Sequence, residues 1–392
     1  MSRGGGARRA ALAGAALVAL VAAGCGSSSG GDEPPARAAE AAPTATSTPA
    51  VPPPAGAEPP GPATAIVWGL DRPARAARRL RRHPAVAAAA PVGRGVVLLR
   101  AGVDADGRTA QRVRRGYAVP LDVLSVHPAG YAATLAGADR AAFARLRPGT
   151  ALLSRTSASL RGLGTGGRLR LADGRRLRVV GVVDDASLRD AEVALARRDR
   201  RLRPLRSTVI AALTGPVTTR ELIRSSERGA AARVLGGRGP EGPARPAELK
   251  VRYGEPAVGL PYGDDWVRLD PAFMRRHIVT RRVPILGTVT CHRAMFRPLR
   301  AALGSLARRG LSRLVDAGDY AGCYAPRRIQ ARGQLSLHAW GVAIDINAAA
   351  NPFLGRSRQD RRLVRTMRRH GFTWGGDWPT RPDPMHFELR GR

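Results

Sequence analysis

Apolar residues in the middle of the chain recur in short β-like runs. Val96–Leu99, Ala118–Val126 and Leu169–Val183 read as strands, and the last alternates in the way that puts every second side chain on one face. In the last run Asp173-Gly174 separates Leu169 and Leu171 from Leu177 and Val179, the pattern of a hairpin turn. Ala141–Leu146 supplies an amphipathic helical piece, so residues 65–253 are expected to form a mixed α+β binding or spacer domain. Farther on, Leu299, Leu303 and Leu306 stripe a helix over 296–309. Leu363, Val364 and Met367 stripe another, which starts after Ser357 with Asp360 as a capping partner and ends at Gly371. Val342, Ile344 and Ile346 share one face of a strand, with Ala343 and Asp345 on the other. Met385, Phe387 and Leu389 oppose His386 and Glu388 in the same way. Residues 254–392 are therefore expected to form a second α+β domain, a small antiparallel sheet with flanking helices.

The N-terminal segment has a different texture. Arg3, Arg8 and Arg9 precede the short apolar stretch Ala10–Ala23, the layout of an export signal over residues 1–25. It closes Ala22-Ala23-Gly24-Cys25 and resembles a bacterial lipoprotein signal, with Ala22 where Leu is commoner. That resemblance implies a lipid on Cys25 and a membrane anchor; without the lipid the chain would be secreted. Residues 26–64, rich in Pro, Ala and Ser, hold almost no large apolar side chain and read as a linker. The compartment is expected to be extracytoplasmic. No other stretch approaches the length of a membrane span.

Composition narrows the partners. The 392 residues carry 65 basic and 30 acidic side chains, a formal charge of +35. Lys250 is the only lysine, so the positive charge is almost all arginine, and it is spread along the chain rather than gathered on one face with aromatics. No nucleic-acid partner is expected from that distribution; an anionic surface is the more natural one. In an oxidising compartment the remaining cysteines, Cys291 and Cys323, are expected to pair. Their loop of about thirty residues would contribute ~3–4 kcal/mol by the chain-entropy model.

Candidate chemistry lies near the C-terminus, in "GQLSLHAWGVAIDIN" (333–347) and "DPMHFEL" (383–389). Paired strands would bring Asp345 and His386 together, with His338 arriving from the turn before its strand. Two imidazoles and a carboxylate form a ligand set of catalytic zinc that leaves the fourth position to water. Asp383, three residues before His386, could reach that water as a base without binding the metal. His292 and His370 read as ordinary histidines, the latter as a partner of its helix's C-terminal dipole.

These residues together resemble the zinc D-Ala-D-Ala carboxypeptidase and L-alanyl-D-glutamate endopeptidase family, whose pattern is Ser-x-His, six residues, Asp, and a later acidic-x-x-His. The resemblance extends through "VPILGTVTCHRAMFRPL", "GCYAPR", "NPF" and "GFTWGGDW". It implies His338, Asp345 and His386 as ligands of one zinc ion per chain, Asp383 as general base, and an oxyanion-stabilising arginine. For the last, Arg327, directly after Pro326, is preferred over Arg328. Ser336 is expected to bind substrate rather than act as nucleophile, Trp340, Trp374 and Trp378 to wall the pocket, and Glu388 to orient a ligand histidine. Residues 146–183 also resemble the extracytoplasmic domain of certain ABC-transporter permeases, which implies a possible protein partner for the middle domain.

The expected function is hydrolysis of an amide in peptidoglycan stem peptides at the cell surface, foremost as a D-alanyl-D-alanine carboxypeptidase. The rival is a non-catalytic adaptor that binds cell wall or docks a transporter or division complex.

Overall fold

A computed structural model describes residues 63–189, 191–197, 206–235, 246–262, 265–329, 333–378 and 381–389. The expected signal segment, with Cys25, and nearly all of the expected linker lie outside them. Six strands close a barrel: β1 (Val86–Val103), β2 (Tyr117–Val126), β3 (Thr150–Ser154), β4 (Arg168–Leu171), β5 (Arg176–Val183) and β6 (Val193–Ala196). Neighbours run β1–β4–β5–β3–β6–β2 and back to β1. The β3/β5 and β2/β6 pairs are parallel and the others antiparallel. Alternation makes this possible. Leu121 and Val123 of β2 pack with Leu99, Leu153, Leu169 and Val193 on one side, while Leu124 and Val126 meet Tyr131, Phe143 and Leu146 on the other. The β4/β5 hairpin forms where expected, Leu169 opposite Leu177, with Gly174 at φ 84° in the turn.

Every residue of β2 is buried, including Asp122. It belongs to a set of charges that lie far apart in the sequence, from Asp122 to Lys250. Glu192 is fully buried and accepts from Arg161 (2.8 Å), Lys250 Nζ (2.7 Å) and the Asp122 backbone N–H (3.1 Å). Lys250 also donates to the Pro120 carbonyl at 2.6 Å. Burial works to raise Glu192, but Lys250 and Arg161 outweigh it and hold the carboxyl below its ordinary range. Asp122 moves the other way: burial and the adjacent Glu192 charge push it up to about 7, against the pull of Lys250, Gln334 and Arg94.

A folded-state value above the ordinary ~4 means that the fold binds the Asp122 proton more tightly than the unfolded chain does. Its contribution to stability is therefore complete below pH ~4 and lost as pH rises through about 7. Asp122→Asn should remove that dependence and melt above the native protein at pH 8 but not at pH 4.5. Parallel melting curves across that range would contradict it.

Helix α1 (Pro246–Tyr253) serves two cores. Lys250 enters the charge set, while Leu249 and Tyr253 join a second apolar cluster, and the Tyr253 hydroxyl donates to the Leu389 carbonyl (2.9 Å). The second cluster packs α2 (Phe296–Arg308) through Leu299, Leu303 and Leu306 against a four-stranded antiparallel sheet. That sheet runs β7 (Tyr320–Gly322), β8 (Ala343–Ile346), β10 (His386–Leu389) and β9 (Phe372–Trp374) in spatial order. Ile344 and Phe387 are fully buried beneath it, each worth roughly 1.5–3 kcal/mol.

The strand from Val342 is covered on both faces, Ala343 as completely as Ile344, and Asp345 faces other buried polar groups. One expectation needs correction. The last helix spans Arg361–Arg369 and is capped by Asp360, which accepts from Arg362 N at 2.7 Å. It does not start after Ser357, because Gln359 turns inward to donate to the Ile346 carbonyl (2.7 Å) and to accept from Asn347 (3.0 Å).

Cys291 and Cys323 are buried and bonded across 32 positions. Replacing both by alanine should cost about 3–4 kcal/mol by loop entropy and lower the urea midpoint of the oxidised protein. An unchanged midpoint would show that the bond adds nothing.

Candidate metal centre

The centre is built from a one-turn helix and two strands. Ser336 starts α3 (Leu337–Trp340), its hydroxyl accepting from His338 N at 3.3 Å. Gly341, at φ 67°, ends it; a Cβ there would lie 2.6 Å from the His292 nitrogen. The turn aims His338 inward just before β8. In β8 and β10 Asp345 stands directly opposite His386, and cross-strand partners share a face. His338 Nε2 lies 3.1 Å from His386 Nδ1 and 3.1 Å from Asp345 Oδ2, and His386 Nδ1 lies 2.8 Å from Asp345 Oδ1. All three residues are buried, and their donor atoms fit within 4.8 Å of one another.

Each imidazole is held from behind. His338 Nδ1 donates to the Cys323 carbonyl (2.9 Å), which leaves Nε2 bare, and His386 Nε2 donates to Glu388 (3.3 Å), which leaves Nδ1 bare. Glu388 thus stands where a ligand-orienting group is expected. Burial works to raise Asp345, but hydrogen bonds and charge from the two histidines hold it well below the usual carboxylate range. Burial works to lower His386, but Asp345 and Glu388 lift it to about 10. Such mutual stabilisation marks a place for positive charge. The donor set fits a metal ion. Ligands at ~2.05 Å in a tetrahedron stand about 3.3 Å apart, close to the 3.1 Å between the two ring nitrogens.

Asp383 sits at the edge of this set. Its Oδ1 is buried with no hydrogen-bond partner, and burial, opposed by His386 and reinforced by Asp345, raises its pKa. The His386 backbone N–H donates to the Asp383 carbonyl (3.1 Å), and the Asp383 N–H to Gly375 O (2.9 Å). Trp374 holds the same turn by donating to the Pro384 carbonyl (2.7 Å). Gly375 was not singled out in the sequence, yet a Cβ there would lie 2.5 Å from the Asp383 carbonyl and 3.1 Å from the His386 Cβ. Gly375→Ala should therefore displace the turn and lower peptidase kcat at least tenfold, at a cost of ~1–3 kcal/mol in stability. Native kcat would show that the turn tolerates the methyl.

The structure places the remaining candidates unequally. Arg327 is among the charges that act on Asp383, whereas Arg328 lies over the Tyr262 ring (5.2 Å). Trp378 packs 5.3 Å from the His386 ring. Trp340 is buried in the core, where its indole N–H donates to the Gly254 carbonyl (3.1 Å). Ser336 spends its hydroxyl on the helix cap. His292 stacks on His277 at 5.1 Å, outside the centre. His370 closes its helix as the C-terminal cap. Trp266, the most exposed large hydrophobic residue among the described residues, pairs with Arg327 across an isolated bridge.

Residues 330–389 match the family model described as D-alanyl-D-alanine carboxypeptidase. That match spans the donor set and Asp383, so this C-terminal segment is similar to the peptidases that the family model describes. No curated protein matches the chain. Among solved structures the chain is similar to the periplasmic region of MacB from Actinobacillus actinomycetemcomitans, at 12% identity and a TM-score of 0.28, covering 43% of this chain and 87% of that one. At that TM-score the likeness carries no conclusion about the barrel. Among the described residues no helix is long and apolar enough to cross a membrane.

Proposed function

We propose that the protein is a zinc peptidase of the cell surface, tethered by a lipid on Cys25, that removes the terminal D-alanine of peptidoglycan stem peptides. The observation that carries this reading is the convergence of His338, Asp345 and His386, with the buried Asp383 Oδ1 near them left without a hydrogen-bond partner. Zinc held by the three would supply a Lewis acid for the scissile carbonyl and make water easier to deprotonate. Asp383, its basicity raised by burial, takes the proton of the attacking water and passes it to the leaving amine. Arg327 offers its guanidinium to the developing oxyanion. Glu388 and the Cys323 carbonyl keep the two imidazoles in register, and the Trp378 ring borders the space. A peptide ending in a carboxylate suits an arginine-rich approach.

The test uses the full chain loaded with zinc and incubated with stem peptides ending in D-Ala-D-Ala, with tetrapeptides and with cross-linked forms, products being read by mass spectrometry. Loss of one alanine is the expected result. A cut deeper in the stem would replace the carboxypeptidase by an endopeptidase. No product with zinc bound would turn the reading to a non-catalytic wall-binding adaptor.

A further inference from the structure

We propose that the barrel positions the part of the metal centre that meets substrate, with Asp122 as the positioning residue. The inference rests on the peptidase reading above. Residues 327–329 and 334–336 pair as two antiparallel arms: Ser336 N donates to Arg327 O (3.0 Å), Ile329 N to Gln334 O (2.7 Å), and Arg328 bridges Leu335. One arm carries Arg327. The other ends at Ser336, whose hydroxyl sets the helix of His338. At the start of the second arm, two side chains from outside take hold of it. Tyr262 donates to the Gly333 carbonyl (2.5 Å), and Gln334 Nε2 donates to Asp122 Oδ2, 212 positions earlier.

Asp122 has little freedom to follow the hairpin. It lies in the buried strand β2, its N–H is fixed on Glu192 (3.1 Å), and Lys250 holds the Pro120 carbonyl two residues before it (2.6 Å). Lys250 is the single lysine among 65 basic residues, and the site accounts for it. Arg161 already occupies Glu192 Oε1, and Lys250 Nζ meets Oε2 and the Pro120 carbonyl. A compact ammonium with three donors suits two acceptors that converge on one point. The barrel's charge set is thus rigid, and it reaches the peptidase segment through the Asp122 carboxylate. A misplacement of about 1 Å in a positioning element can cost ~100-fold in rate, so holding this hairpin has a functional consequence.

The experiment compares Asp122→Leu, Asp122→Asn and Gln334→Leu in the full chain, reading hydrogen–deuterium exchange at the Ile329 and Ser336 amides, zinc content and kcat/KM for the stem peptide. Asp122→Leu and Gln334→Leu are expected to speed exchange at those amides and lower kcat/KM about 10–100-fold, with zinc content unchanged. Asp122→Asn keeps an acceptor oxygen for Gln334 and should restore both. Unchanged exchange in the two leucine variants, or an asparagine variant as impaired as the leucine one, overturns the positioning role. Absence of peptidase activity in the native chain would instead remove the peptidase reading, and the exchange data would still decide whether Asp122 holds the hairpin.

Discussion

Asp383→Asn should bind zinc as the native protein does and lose turnover by ~10²–10⁴-fold, the range that a positioned general base contributes. The amide keeps the shape of the side chain, and the backbone bonds that place it, to Gly375 O and from His386 N, do not involve the carboxylate. What disappears is the proton acceptor. The buried Oδ1 makes no bond that the substitution would break, so stability should change little, and the loss should fall in kcat with KM nearly constant. Stem-peptide kinetics beside metal analysis read both quantities. Native kcat in a zinc-loaded Asp383→Asn would take the base role away from this residue and leave the donor set intact.

The second large effect belongs to the donors themselves. His338→Ala removes the Nε2 that lies 3.1 Å from both partners, and with it one of three protein ligands. Loss of an outer partner of a metal ligand already costs ~10–100-fold in affinity, so loss of a ligand should abolish stoichiometric zinc and all peptidase activity. A second readout is independent of catalysis. Zinc at about a hundredfold excess over its Kd stabilises the native protein by ~2.7 kcal/mol, and His338→Ala should lose that rise in Tm. Calorimetric titration showing native zinc affinity in the variant would place the metal elsewhere. In the metal-free state the substitution also leaves Asp345 with one histidine, so the apo variant should be less stable than the native apo protein.

Much of the centre could be read without coordinates because its chemistry is local. His338 follows its cap by two residues, Asp345 and His386 sit on short strands whose alternate positions are fixed by the backbone, and Asp383 lies one turn from His386. Strand pairing then needs only to put Asp345 opposite His386. Residues whose roles depend on approach between distant segments were less legible. Trp340 looks like its tryptophan neighbours in sequence, and only the direction of α3 sends it into the core. Gly375 is one of 46 glycines; its importance arises from the 2.5 Å that a Cβ would have to the Asp383 carbonyl.

The middle of the chain divides in the same way. The β4/β5 hairpin follows from alternation and a turn dipeptide, both properties of neighbouring residues. Closure of six strands into a barrel depends on β1 pairing with β2 on one side and β4 on the other, a long-range choice that no local pattern encodes. The charges of Arg161, Glu192, Lys250 and Asp122 look like ordinary surface residues when read in order.

By itself, then, the sequence determined the local elements, the candidate set of His338, Asp345, His386 and Asp383, and the disulfide pair, because each rests on residue chemistry at short spacing or on a pair of cysteines left to each other. Only the tertiary structure decided that the barrel closes, that a buried charge set gathers around one lysine, and that Asp122 reaches Gln334. Those features depend on burial, which makes an unpaired charge too costly to leave alone, and burial is a property of the folded chain rather than of any stretch of it.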